Sequence, residues 1–392
     1  MLKEEKVINA LRMGVIPEGH LQSFMVGKDK EKVALKDFME AIATGGSQVR
    51  FLRGAYGSGK SFMLKYVESI AKSQNYIVAT IPMHSGFGFS KFEDIYSSIM
   101  ANLSSRVDAG GSSFEEIFDH WLRQLRRKGD MNNATQNIFR VITELNRYNS
   151  SFANVLLVYI RAKINHDFDL ANTAAAWIKG DKNMSYQLKR QLQVKGSVDR
   201  ENAMDIFKGF VKLIHEMGYK GIIVTFDEAE LMMHQRVDIR LKAYGNIRQL
   251  MDFSGGGELN NCGFIFAGTP ELFDNIEKGI PSYQALHQRI GTLLGGQHQL
   301  DNLKQPLIQL QPFTKEDYMI LCDKVVEIHE RLRGYKLGVQ PQYMVNLVML
   351  ESNHLVGAEG LTIRIFLKKL IELLDLLIDN PELPIFKAMR NR

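Results

Sequence analysis

The chain has 392 residues, 45% of them hydrophobic and 24% charged, which suits a folded protein of two or three domains and excludes a disordered or fibrous one. Its 49 basic and 44 acidic residues leave a net charge of +5, enough to permit nucleic-acid contact but too little to demand it. Two cysteines, Cys262 and Cys322, rule out a disulfide framework, and apolar runs such as "NVLLVYI" are too short to span a bilayer, so a reducing, cytoplasmic setting without membrane contact is expected.

Taken in chain order, "EEKVINALRMG" reads as a short helix and "GKDKEKVALKDFMEAIATGG" as a longer one closed by Gly45 and Gly46. "QVRFLRG" reads as a strand, "SFMLKYVESIAKSQ" as a helix and "YIVATIPM" as a second strand, so residues 48–83 open an α/β domain with a βαβ unit. Residues 90–218 read as mostly helical, broken at "DAGGSS", "KGDMNN" and "IKGDKN", and are too long for one crossover; a helical insertion is expected. "YKGIIVTFDEAE" restores a strand apolar enough to be buried on both faces, a helix follows, and "NCGFIFAGTPEL" is another buried strand. From about Pro306 the pattern is helical.

Between the first strand and its helix, Gly54, Gly59, Lys60 and Ser61 fit G-x-x-x-x-G-K-[ST]. Glycines let such a loop fold tightly, so that backbone N–H groups point inward at phosphate oxygens and the following helix adds its N-terminal dipole. Gly54, Tyr56, Gly57, Ser58, Gly59, Lys60, Ser61 and Phe62 are the candidate nucleotide-binding residues. Lys60 would reach the β- and γ-phosphates of ATP, and Ser61 would offer its hydroxyl to Mg²⁺. The second half of such a site needs acids. Asp227, at a strand end expected beside the P-loop strand, is assigned to Mg²⁺, and Glu228 to polarising the attacking water; Glu230 is a weaker alternative for that role and reads rather as a solvated helix residue.

Three further residues carry two readings each. Thr269 could bond the water or the γ-phosphate, or simply start the turn before Pro270. Arg289 could stabilise charge on a neighbouring subunit's γ-phosphate, or form a surface ion pair. Arg364, early in a late helix, could touch the nucleotide from a lid, or again be a surface residue. "WLRQLRRKG" groups Arg123, Arg126, Arg127 and Lys128, and "YQLKRQLQVKG" adds Lys189, Arg190 and Lys195; with Trp121 and Tyr186 they could track DNA, although a charge run is more often a solvated helix face.

Together these elements resemble AAA+ ATPases, with Walker A at 54–61, Walker B at 224–228, a sensor-1 position at Thr269, an arginine-finger position at Arg289 and a sensor-2 position at Arg364. "TFDEAE" with a late "GLTIR" looks closest to the ORC-like type. More narrowly, "VINALRMGVIPEGHLQSFMVGKDKE", "RFLRGAYGSGKSFML" and "GLTIRIFL" look like the ATP-binding proteins of BREX-type phage-defence systems, with Lys28 where that family often has arginine. The resemblance implies a P-loop NTPase with a parallel sheet flanked by helices. Its parts would be a helical lead-in at 1–47, a nucleotide-binding core at 48–300 holding the insertion, and a helical lid at 301–392. It also implies ATP hydrolysis with Mg²⁺, a homo-oligomer, partners from a defence system and remodelling or loading of those partners on DNA. The competing expectation is a slow nucleotide-gated switch with little turnover.

Overall fold

The computed structural model describes residues 3–15, 21–84, 89–106, 113–128, 131–291, 304–334, 336–352, 361–380 and 382. Its elements begin with α1 (Lys3–Arg12), α2 (Leu21–Phe24), α3 (Asp29–Ala43), β1 (Ser47–Arg53), α4 (Lys60–Ser73) and β2 (Ile77–Pro82). The region read as an insertion holds α5 (Phe92–Ala101), β3 (Leu103–Ser104), α6 (Phe114–Lys128), α7 (Met131–Asn146), α8 (Ser150–Ile164), α9 (Phe168–Ile178), α10 (Tyr186–Gln191) and α11 (Ala203–Glu216). Then come β4 (Ile222–Asp227), α12 (Val237–Gly255), β5 (Cys262–Gly268), α13 (Pro270–Asp274), α14 (Gln284–Ile290), β6 (Leu307–Gln309), α15 (Lys315–Arg333), α16 (Pro341–Ser352) and α17 (Ile363–Asp379).

Six strands form one sheet in the order β3-β2-β4-β5-β1-β6. β2, β4 and β5 run parallel, in a register that places Ile81 beside Phe226 and Phe226 beside Phe266. β3 runs antiparallel to β2, with Val78 opposite Ser104, so the sheet is mixed where a parallel one was expected. β3 is a two-residue stub that leaves α5 almost at once, and β6 has three residues; neither is long enough to show a period of two in sequence.

The chain packs as two compact units. One comprises residues 34–51 and 70–307. Its buried phenylalanines stack across three neighbouring strands: Phe226 lies 4.7 Å from Phe266 and Phe51 lies 5.5 Å from Phe266, both face to face, while Phe89 meets Phe226 edge-on at 5.1 Å. The helices between β2 and β4 extend this core. Phe207 of α11 meets Phe264 of β5 at 5.9 Å, and Phe114 of α6 meets Phe210 of α11 at 6.4 Å. Both thiols of the chain are buried, and burial pushes each up to about 12.

The other unit comprises residues 1–33, 52–69 and 308–392. Val7, Ile8 and Leu11 of α1 share a core with Leu321 and Val325 of α15 and Phe366, Leu370 and Leu374 of α17. Arg12 pairs with Asp375 at 2.8 Å. Thr314 and Asp317 form a capping box at the start of α15, and Gly334 in the left-handed region ends it. Lys28 is buried; its ammonium donates to the Gln311 carbonyl and lies 4.9 Å from the Phe313 ring centre. Among the described residues no helix is long and apolar enough to cross a membrane.

Candidate functional site

The loop after β1 has the conformation its glycines predict. Gly57 and Gly59 sit at φ 77° and 96°, in the left-handed region that other residues enter at a cost. The loop is also too tight for side chains: a Cβ built on Gly54 would lie 2.3 Å from Ser58 Oγ. α4 begins at Lys60, so the loop runs straight into a helix N-terminus, where free N–H groups and the helix dipole favour an anion. Lys60 is buried and its Nζ donates to the carbonyls of Gly54 and Ala55 at 2.9 and 3.1 Å, which suspends the ammonium across the loop. Ser58 Oγ is buried without a hydrogen-bond partner among the described residues, a state that a phosphate oxygen would relieve. Ser61 and Tyr56 are exposed, while Phe62 packs on the apolar core of its unit, which leaves only its backbone to face a ligand. Glycine cradle, suspended cation and orphan hydroxyl fit the phosphates of a nucleotide.

The head of α17 rests on this loop. Thr362 caps the helix by accepting the Ile365 N–H at 3.3 Å. A Cβ on Gly57 would lie 2.3 Å from Thr362 Cγ2, and one on Gly59 3.5 Å from Ile363 Cδ1. Tyr318 of α15 fixes the approach by donating its hydroxyl to the Leu361 carbonyl at 2.8 Å. Arg364 is the next residue along, exposed, with its Cγ 3.0 Å from where a Cβ on Gly14 would be.

The acids sit at the end of β4. Asp227 is half-buried and its Oδ1 accepts the Glu228 N–H at 3.0 Å. Glu228 is exposed and left-handed, at φ 59° and ψ 41°, a conformation that costs a non-glycine residue about 1 kcal/mol or more. The chain then enters a 3-10 turn over Ala229–His234, in which Glu230 is half-buried. Glu230 Oε2 accepts the Thr269 N–H at 3.3 Å, so the residue read as solvated ties the end of β4 to the end of β5. Thr269 holds the N-cap position of α13 ahead of Pro270, yet its hydroxyl makes no cap bond. The strand beside β1 is β5, which ends just before Thr269, and not β4 as expected: β5 stands between them in the sheet.

Arg289, at the end of α14, bonds Asp252 of α12 through Nε at 2.6 Å and Nη2 at 3.2 Å. Arg123 is exposed. The side chains of Arg126, Arg127 and Lys128 lie outside the described residues. Trp121, expected beside them as a stacking surface, is buried and meets Phe118 edge-on at 5.1 Å. Among the described residues no group of three or more histidines, cysteines or acids is gathered to hold a metal.

A mixed α/β sheet flanked by helices, with a glycine loop opening a helix, is consistent with a P-loop NTPase. Over residues 2–392 the sequence matches the BREX system ATP-binding protein BrxC/D family, and the chain belongs to that family. It is thus an ATP-binding protein of a phage-defence system. No curated protein matches it.

Proposed function

We propose that the chain hydrolyses ATP and uses the energy to remodel or load partner proteins of the defence system on DNA, working as a homo-oligomer in the cytoplasm. The observation that carries the reading is Glu228: an exposed carboxylate held in a costly left-handed turn, immediately after Asp227 at the end of a buried strand. Strain of this kind persists where it serves a site. The backbone of the loop from Gly54 to Phe62 would cradle the phosphates, with Tyr56 at its exposed rim. Lys60 and Ser58 would bond phosphate oxygens. Mg²⁺ would take Ser61 and Asp227 as ligands, and Glu228 would orient and deprotonate the water. Thr269 would bond the γ-phosphate or the water, and Arg364 would report on the nucleotide from the lid. Arg289 would act on a neighbour's nucleotide, for which it must exchange its bond to Asp252. DNA would meet Arg123, Arg126, Arg127 and Lys128.

Steady-state turnover with Mg-ATP, run beside calorimetric ATP binding, tests this. Glu228→Gln should bind ATP as wild type does and turn over about 10²-fold more slowly or worse. Equal loss of binding and turnover would remove Glu228 from the chemical step. The second reading, a slow switch, draws on Arg289 being held by Asp252 within its own chain. It expects wild-type turnover too slow to respond to Arg289→Ala at any protein concentration.

A further inference from the structure

Several cations between β2 and β4 are paired with carboxylates distant in sequence: Arg140 with Glu216, Lys163 with Asp119, Lys179 with Glu115, Lys182 with Asp94 and Lys208 with Glu258. The segment 186–200 differs. The side chains of Lys189, Arg190, Lys195 and Arg200 form no ion pair or hydrogen bond with the described residues, and all four residues but the half-buried Lys189 are exposed. Two of the acids flanking the segment accept backbone N–H groups, while Glu201, next to Arg200, is exposed. Asp181 accepts the Asn183 N–H at 2.8 Å, and Asp199 accepts those of Glu201 and Asn202 at 3.0 and 3.2 Å. On α10, Tyr186, Lys189 and Arg190 stand at i, i+3 and i+4, which puts them on one face. Tyr186 is 77% exposed, against 4% for Trp121.

This exposed segment is also firmly held. Ser185 caps α10 by accepting the Leu188 N–H at 3.3 Å, Leu192 is fully buried, Asn154 bonds the Leu192 carbonyl at 3.1 Å, and Trp177 Nε1 bonds the Gly196 carbonyl at 2.9 Å. Exposed aromatic surface and uncompensated charge are thus displayed on a rigid support, which lowers the ordering cost of binding.

We propose that this face is a binding surface for single-stranded nucleic acid. Lys189, Arg190, Lys195 and Arg200 would meet successive phosphates and Tyr186 would stack on a base. Both contacts tolerate any sequence, because every nucleotide carries a phosphate and every base a π-face. The surface does not depend on the nucleotide reading above.

The test is fluorescence anisotropy of the full chain with a labelled 20-nucleotide oligo-dT, a 20-base-pair duplex and poly-glutamate, without ATP and between 50 and 200 mM salt. Expected are a preference for oligo-dT over duplex and a slope of log affinity against log salt near −3, for four contacts at about 0.7 each on a single strand. Tyr186→Ala should weaken oligo-dT binding about tenfold or more. The triple variant Lys189→Glu, Arg190→Glu, Lys195→Glu should abolish it with an unchanged melting temperature. Lys36→Glu, a charge change at an exposed position of α3, should leave it alone. The proposal fails if wild type does not bind oligo-dT at 50 mM salt, or if the triple variant binds as wild type does. It fails equally if Tyr186→Ala is silent, or if poly-glutamate binds as tightly as the oligonucleotide.

Discussion

Glu228 and Glu230 lie two positions apart, yet the structure gives them opposite surroundings. The first is exposed and presented by a left-handed turn; the second is half-buried and accepts the Thr269 N–H. Their variants should therefore separate. Glu230→Gln keeps an acceptor oxygen and should retain most turnover, whereas Glu230→Ala loses it and should lower kcat about tenfold while the KM for ATP holds, because only the alignment of Thr269 with Glu228 is disturbed. A Gln variant as dead as Glu228→Gln would make Glu230 itself the base. Hydrogen exchange read at Thr269 gives the same answer without turnover: faster in the Ala variant, unchanged in the Gln variant. Lys60→Ala should remove tight ATP binding in calorimetry, since Lys60 supplies the one side-chain cation within the loop motif. Lys60, Asp227 and Glu228 could be put forward from the sequence because strand, glycines and acids follow one another along the chain. It did not announce the role of Glu230, whose partner is 39 residues away, nor the bond of Arg289 to Asp252 across 37. Contacts at such separations leave no local pattern.

At the scale of elements, the sites hang from aromatic and helical supports. Phe226 immediately precedes Asp227 and Phe266 lies three residues before Thr269, so the stack across these strands sets where the acids and Thr269 begin. Phe266→Ala should cost about 3–5 kcal/mol in denaturant unfolding, because a fully buried ring is replaced by a void touching both neighbours. Phe266→Leu should cost less than half as much. For the loop, Gly57→Ala adds a methyl group in a left-handed conformation and against Thr362. It should weaken ATP binding and lower the melting temperature together; Thr362→Ser, which keeps the cap oxygen and removes the clashing methyl, should restore part of both. Trp121 shows what the sequence did offer at this scale. Phe114, Ile117, Phe118 and Trp121 recur at i, i+3, i+4 and i+7, the stripe of a core-facing helix, and the arginines around Trp121 mask that stripe in a linear reading. For β3 and β6 there was nothing to read, since two or three residues carry no period.

At the scale of the whole molecule, one buried histidine links stability to acidity. His329 of α15 is fully buried, with Asp375 of α17 at 3.4 Å, and Arg333 and Arg12 also bear on it. Burial lowers its pKa from the ordinary 6.5; Asp375 pulls it back up, and the two arginines push it down again. The unfolded chain therefore takes up a proton near pH 6.5, where the folded one does not. Stability is highest above that value, falls as the pH drops through it, and stops falling once the folded ring protonates as well. The melting temperature should decline between pH 7.5 and 5.5, and His329→Gln should flatten that decline. An unaltered slope in the variant would assign the acid sensitivity to other groups.

The bond between Arg12 and Asp375 joins residues 363 positions apart, and the apolar face beside it, Val7, Ile8 and Leu11, is buried by helices from the same late part of the chain. On a ribosome adding about 5–20 residues per second, α1 emerges roughly 20–70 s before α17 exists to cover it. For most of that interval, until α15 also emerges, the nascent protein exposes a greasy helix without the late helices that bury it. Demand for a holdase during synthesis, and clumping whenever translation stalls before α17, are thereby written into the order in which the chain is made.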